Sequence, residues 1–217
     1  MIEEILPAGV VSAESFADPP DVMLFPEEEA MIARSVERRR REFTTARGCA
    51  RRALASLGIA PVPILAGERG APRWPSGVVG SITHTAGYRA AAVARARDVV
   101  TVGLDAEVNG ALPDGVLDVV SLPDERARLR DLAEVPGACW DRLLFSAKET
   151  VYKAWFPLAG RWLGFADADI TISPADGTFA VRLLVEGPVV GGAPLTGFTG
   201  RWLARDGLVL TAIAVPA

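Results

Sequence analysis

Residues 78–107 read VVGSITHTAGYRAAAVARARDVVTVGLDAE, and this stretch decides the fold class. It holds three short β-type runs, 78–83, 90–94 and 99–107, with Gly87 and then Arg97-Asp98 supplying the turn residues that hairpins need. Upstream, Pro26 followed by three glutamates suits a helix start, because proline fits the first helical position and acids fit the positive end of the dipole. Apolar residues recur at Ile32, Val36, Phe43, Ala50, Leu54 and Leu57, so a helix or helix pair extends to about Gly58, which stops it. Residues 61–75 form a turn-rich connection. Downstream, 109–115 is a linker of Gly, Pro, Asp and Asn, and 117–133 a polar, broken helix ended by Pro136-Gly137. Trp140, Leu144, Ala147, Val151 and Ala154 then step by three and four, the spacing of a buried helix face, and Pro157 closes that helix. Runs at 169–171, 179–185, 197–203 and 208–215 read as strands with Gly-rich turns. The expected class is α+β, with two similar halves, 1–107 and 108–217. Each carries helix plus antiparallel sheet, and there is no exact internal repeat.

The composition is that of an ordinary globular chain: 217 residues, 50% apolar, 23% charged. A formal charge of -4 argues against a general nucleic-acid binder, which needs a broad positive face. A basic block nevertheless runs through Arg38 to Arg41, Arg47, Arg51 and Arg52. Cys49 and Cys139 have no metal-ligand or disulfide spacing and read as reduced, mostly buried side chains. The acidic start lacks the pattern of a signal peptide, and no stretch suits a bilayer span, so the expected setting is the cytoplasm, without membrane or nucleic acid as partner.

The rarest ionisable side chains gather in short stretches. Of 23 basic residues only two are lysines, Lys148 and Lys153, in Phe145-Ser-Ala-Lys-Glu-Thr-Val-Tyr-Lys153-Ala-Trp155, with Glu149 between them. A lysine is a compact point charge where arginine is a planar fork. On a strand Asp105 and Glu107 point the same way, and paired carboxylates suit either magnesium or a solvated edge. Glu149 and Lys153, four apart on a helix, suit either an exposed ion pair or catalysis. The only histidine, His84, ends a β-type run beside a glycine turn. Arg47 and Arg51 share a helix face. Together these segments read as a metal and phosphate site.

In order, Gly80-Ser-Ile-Thr-His84, Gly103-Leu-Asp-Ala-Glu107 and Phe145 to Lys153 resemble the signature of the 4'-phosphopantetheinyl transferases, in the monomeric class typified by the surfactin and enterobactin enzymes. The Arg47 region and Gly70-Ala-Pro-Arg-Trp-Pro75 also look like that family's coenzyme A segments. The resemblance implies an α+β pseudo-dimer with coenzyme A in the cleft between the halves, and transfer of its phosphopantetheine arm to a serine of an acyl or peptidyl carrier protein. It implies magnesium, or manganese, on Asp105, Glu107 and Glu149. Glu149 would act as base, directly or through a metal-bound water, and Lys153 would steady the pyrophosphate. Arg47, Arg51 and His84 would hold the phosphates of the adenosine end, and Arg69, Thr83 and Lys148 would make further coenzyme A contacts. Thr83 stands where serine is common, Arg69 where lysine is frequent, and Ala106 offers no side-chain ligand.

Two other classes compete on the residues alone. A magnesium-dependent nuclease or phosphohydrolase would use the same carboxylates, although a common nuclease pattern wants a lysine where Asn109 stands. A non-enzymatic carrier-binding or nucleotide-binding module would need no base.

Overall fold

In the computed structural model, which describes residues 1–217, the first strand is one that the sequence reading passed over: β1 (Val10–Ser15). All six of its positions are partly buried, so the alternation that reveals a strand is missing. The helical region is a pair, α1 (Pro26–Ile32) and α2 (Glu37–Ser56), broken at 33–36 and stopped by Gly58 at φ 72°. Next come β2 (Val78–Thr85) and β3 (Tyr88–Arg95). With β1 they form an antiparallel sheet of order β1-β3-β2, and Cys49, Ala50, Ala53 and Leu54 of α2 pack on it.

β4 (Val99–Val108) leaves that half. Its place in the sequence groups it with residues 1–107, but its hydrogen-bonded neighbour is β10 (Leu208–Pro216), in register from Leu208↔Val108 to Val215↔Thr101. Contact with β2 is made instead through side chains, as where the Leu104 amide donates to Ser81 Oγ at 3.1 Å. Between β4 and β10 in sequence lie α3 (Val116–Val120), α4 (Pro123–Asp131), α5 (Trp140–Ala159), β5 (Ala168–Ser173), β6 (Thr178–Leu183), the short pair β7 (Val189–Val190) and β8 (Ala193–Pro194), and β9 (Gly197–Arg205). The second sheet runs β4-β10-β9-β6-β5. The fold is therefore α+β in two halves, each a long helix on an antiparallel sheet.

Pro157 does not close α5. It sits in the last turn, where its missing N–H costs only the bond to the Lys153 carbonyl, and the helix ends at Gly160 in the left-handed conformation (φ 61°). One face of α5, with Leu144, Ala147, Val151, Ala154 and Trp155, packs on Ile170, Phe179, Val181, Phe198 and Ile213 of the second sheet. Another lies directly on β4, because residue 103 is glycine: a Cβ there would stand 2.3 Å from the Thr150 carbonyl oxygen and 2.9 Å from the Ala154 nitrogen. Thr101 Oγ1 adds a bond to the Ala154 carbonyl at 2.9 Å. Gly103→Ala is expected to push helix from strand and lower stability by about 1–3 kcal/mol, read as a fall in the urea midpoint. No helix is long and apolar enough to cross a membrane.

Candidate active site

The period of two along β4 sorts its residues. Val102, Leu104 and Ala106 enter the core shared with β3 and β10, so Thr101, Gly103, Asp105 and Glu107 face α5. Asp105 is almost fully buried, and three side chains meet it: Lys153 Nζ at 2.7 Å, Ser146 Oγ at 2.9 Å and Thr83 Oγ1 at 3.4 Å. Lys153 also donates to the Leu104 carbonyl at 3.0 Å. The i,i+4 ion pair of Glu149 with Lys153 does not form, because Asp105 offers the ammonium a drier and more constrained partner. Glu107 accepts from Arg142 Nη1 at 3.1 Å. Glu149 has no protein hydrogen bond and faces the same region. Burial, reinforced by the Asp105 charge, raises the carboxyls of Glu149 and Glu107 above the ordinary range; Lys153 opposes this at Glu149, and Arg142 and Lys153 at Glu107.

Glu149 and Lys153 of this cluster line a cleft of about 550 Å3 between the halves, while Asp105 and Glu107 stand behind its wall. On one wall stand residues 67–74 and β2, on the other Glu149, Tyr152, Lys153 and Phe156 of α5. Arg69, in the left-handed region at φ 51°, lines the cleft and lays its guanidinium over the Trp162 ring, 5.5 Å from the centroid. Gly70, Pro72 and Ile82 are shared with a second concavity of about 320 Å3, lined also by Arg39, Phe43, Arg47 and His84. Arg47 is anchored by Nε on the Ile64 carbonyl at 2.8 Å and by Phe43 under its guanidinium. Its two terminal nitrogens have no protein partner, and burial lowers its pKa to about 10, so it keeps its charge at neutral pH. Arg39 Nη1 donates to His84 Nε2 at 2.5 Å, which leaves the ring proton on Nδ1 toward Glu42, 3.9 Å away. Burial and the Arg39 charge lower the His84 pKa, so the ring is neutral at pH 7.

The chain is similar to known proteins along most of its length. A model of the 4'-phosphopantetheinyl transferase N-terminal domain matches residues 27–94, and one of the 4'-phosphopantetheinyl transferase superfamily matches 101–190. The 4'-phosphopantetheinyl transferase Svp of Streptomyces mobaraensis is 58% identical over 221 residues, covering 100% of this chain and 90% of its own. The chain belongs to the 4'-phosphopantetheinyl transferase superfamily. The transferase PptT of Mycobacterium tuberculosis is 51% identical over 224 residues, 99% of this chain and 98% of its own. Enterobactin synthase component D of Salmonella typhi is more distant, 34% identical over 142 residues, 62% of this chain and 56% of its own. The gap between the two matched segments falls at the turn that precedes β4, where the sheets change.

Three residues expected at coenzyme A are engaged elsewhere in this transferase. Arg51 is bound by the fully buried Glu28, at 2.8 and 3.0 Å, and by the Met23 carbonyl at 2.5 Å, so it fastens α1 to α2. Lys148 is 1% exposed at its side chain; its ammonium meets Glu125 at 2.8 Å and the carbonyls of Phe165 and Ala168 at 2.7 and 2.5 Å. It touches only a small side cavity of about 90 Å3, and burial lowers its pKa. Thr83 is buried, with its hydroxyl on Asp105, and lines neither concavity. By contrast Arg39 and Arg142 stand at the site outside the three signature segments, and Ser146 lies inside one without a role read for it; a run of four arginines hides which one turns inward.

As the side chains are placed, no three acidic, histidine or cysteine groups converge closely enough to enclose an ion. The donor chemistry nevertheless fits a hard divalent cation. Asp105 and Glu107 share a face of β4, Glu149 on α5 feels the Asp105 charge, all three donors are carboxylates, and burial with that charge raises the two glutamates.

Proposed function

We propose that this transferase takes the 4'-phosphopantetheine arm from coenzyme A and places it on a serine hydroxyl of an acyl or peptidyl carrier protein, releasing adenosine 3',5'-bisphosphate. The observation that carries this reading is the adjacency of the two concavities, which share Gly70, Pro72 and Ile82: Glu149 and Lys153 line one, and Arg39, Arg47 and His84 the other. A pyrophosphate with a nucleotide on one side and a flexible arm on the other spans such a path. At the reacting end the serine oxygen forms a new bond to the β-phosphorus while the bridging oxygen departs with the nucleotide. Glu149 takes the serine proton, a task to which a carboxylate made more basic by burial is suited. Lys153, fixed by Asp105 and the Leu104 carbonyl, sets a positive charge beside the pyrophosphate. Asp105, Glu107 and Glu149 would hold magnesium, which when bound neutralises the charge that builds on the pyrophosphate oxygens.

At the other end the unpartnered fork of Arg47, beside the Arg39 guanidinium that His84 holds in place, suits the 3'-phosphate. Arg47→Ala is expected to weaken coenzyme A about tenfold to a hundredfold, the worth of one charge-assisted bond, and to leave 3'-dephospho-coenzyme A nearly unchanged. Isothermal titration with both ligands checks it, and an equal loss for both removes Arg47 from the 3'-phosphate. The function itself is tested by incubating the chain with coenzyme A, magnesium and an apo carrier protein. Gain of about 340 Da on the carrier serine, the mass of the added arm, is the expected result for this reaction class. Hydrolysis of coenzyme A without carrier modification would instead indicate a phosphohydrolase.

A further inference from the structure

Glu107 is held by a side chain that is itself held twice over. Arg142, in the first turn of α5, donates Nε to the Gly110 carbonyl at 3.0 Å and Nη2 to the Ala111 carbonyl at 2.9 Å. Nη1, the one nitrogen with no carbonyl partner, donates to a single Glu107 oxygen, Oε2, at 3.1 Å. Oε1 has no protein partner. The two carbonyls fix the plane of the guanidinium whatever Glu107 does, which separates this pair from a surface ion pair between two free side chains. The loop carrying those carbonyls is fastened separately, since the Leu112 amide donates to Asp141 Oδ2 and the Cys139 amide to Asn109 Oδ1, both at 2.8 Å. The N-terminus of α5, the loop 109–112 and the end of β4 thus form one braced corner.

We propose that Arg142 is a positioning residue for Glu107: by gripping Oε2 from a fixed plane it keeps Oε1 presented to the cation that Asp105, Glu107 and Glu149 would share. The inference rests on the carboxylate reading above. It gives the arginine a role of the kind that outer partners play at metal centres, where a ligating carboxylate is oriented by a second hydrogen bond. Lysine would not do the same, because a single ammonium cannot meet two diverging carbonyls and a carboxylate in one plane.

The test is a manganese titration followed by the electron paramagnetic resonance of the free ion, on the full chain with coenzyme A bound. Arg142→Met is expected to weaken manganese about tenfold to a hundredfold. Arg142→Lys is expected to fall between that variant and wild type, and it keeps the comparison available if the methionine variant does not fold. Asn109→Ala loosens the loop without touching the Arg142–Glu107 contact and is expected to bind manganese as wild type does. An Arg142→Met affinity equal to or tighter than wild type, with Glu107→Gln weakened, overturns the positioning role alone. Equal losses in Asn109→Ala and Arg142→Met overturn it too, in favour of loop bracing. If Glu107→Gln binds manganese as wild type does, Glu107 is no ligand and the metal reading falls together with the inference.

Discussion

Glu149→Gln is expected to lower carrier modification by at least about a hundredfold while leaving the melting temperature close to wild type, since a positioned general base contributes roughly 10²–10⁴ to a rate. The substitution keeps shape and removes basicity. Glu149 makes no protein hydrogen bond, so little of the fold depends on its charge. Its environment is also costly for a carboxylate, because burial and the Asp105 charge both disfavour ionisation. Folding tolerates that cost; catalysis is the reading that explains it. Turnover within threefold of wild type at saturating magnesium would show that another group accepts the serine proton.

Lys148, one residue away, is expected to behave in the opposite sense. Removing one member of a buried ion pair leaves the other charged and unpaired, a loss of about 3–5 kcal/mol. For a chain of this size Lys148→Met should then lower the melting temperature by roughly 6 to 20 °C. Glu125 would keep only its bonds from the Leu122 and Ile170 amides, each at 2.7 Å, and α4, α5 and β5 would lose the ammonium that joins them. Coenzyme A affinity of the folded variant should stay near wild type, measured by titration well below its transition. A tenfold weaker affinity with unchanged melting would return Lys148 to the ligand and refute the buried-pair account.

Much of the fold was legible because it depends on local rules. Seven of the ten strands, those longer than two residues other than β1, follow from short β-type runs bounded by turn residues. The paired helices follow from Pro26, the three-and-four spacing and Gly58. What was missed has common causes. β1 has no alternation because it is half-covered along its whole length. Pro157 reads as a terminator from its own chemistry, yet in a last turn it removes only one bond.

At the site, sequence alone determined that Asp105 and Glu107 share a face, that Glu149 and Lys153 lie within one helical turn, and which family the three segments resemble. Each of these is a relation between residues near in sequence, set by the period of a strand or helix or by the order of motifs. Only the tertiary structure decided what stands opposite each side chain. Lys153 meets Asp105 across 48 positions, Arg142 meets Glu107 across 35, and Arg51 meets Glu28 across 23. Periodicity says which residues share a face but carries no information about what will cover it. That is why two charged residues that look equally free in the sequence, Lys148 and Lys153, part so sharply. One is sealed by Glu125 and two carbonyls, and the other stands at the edge of the cleft.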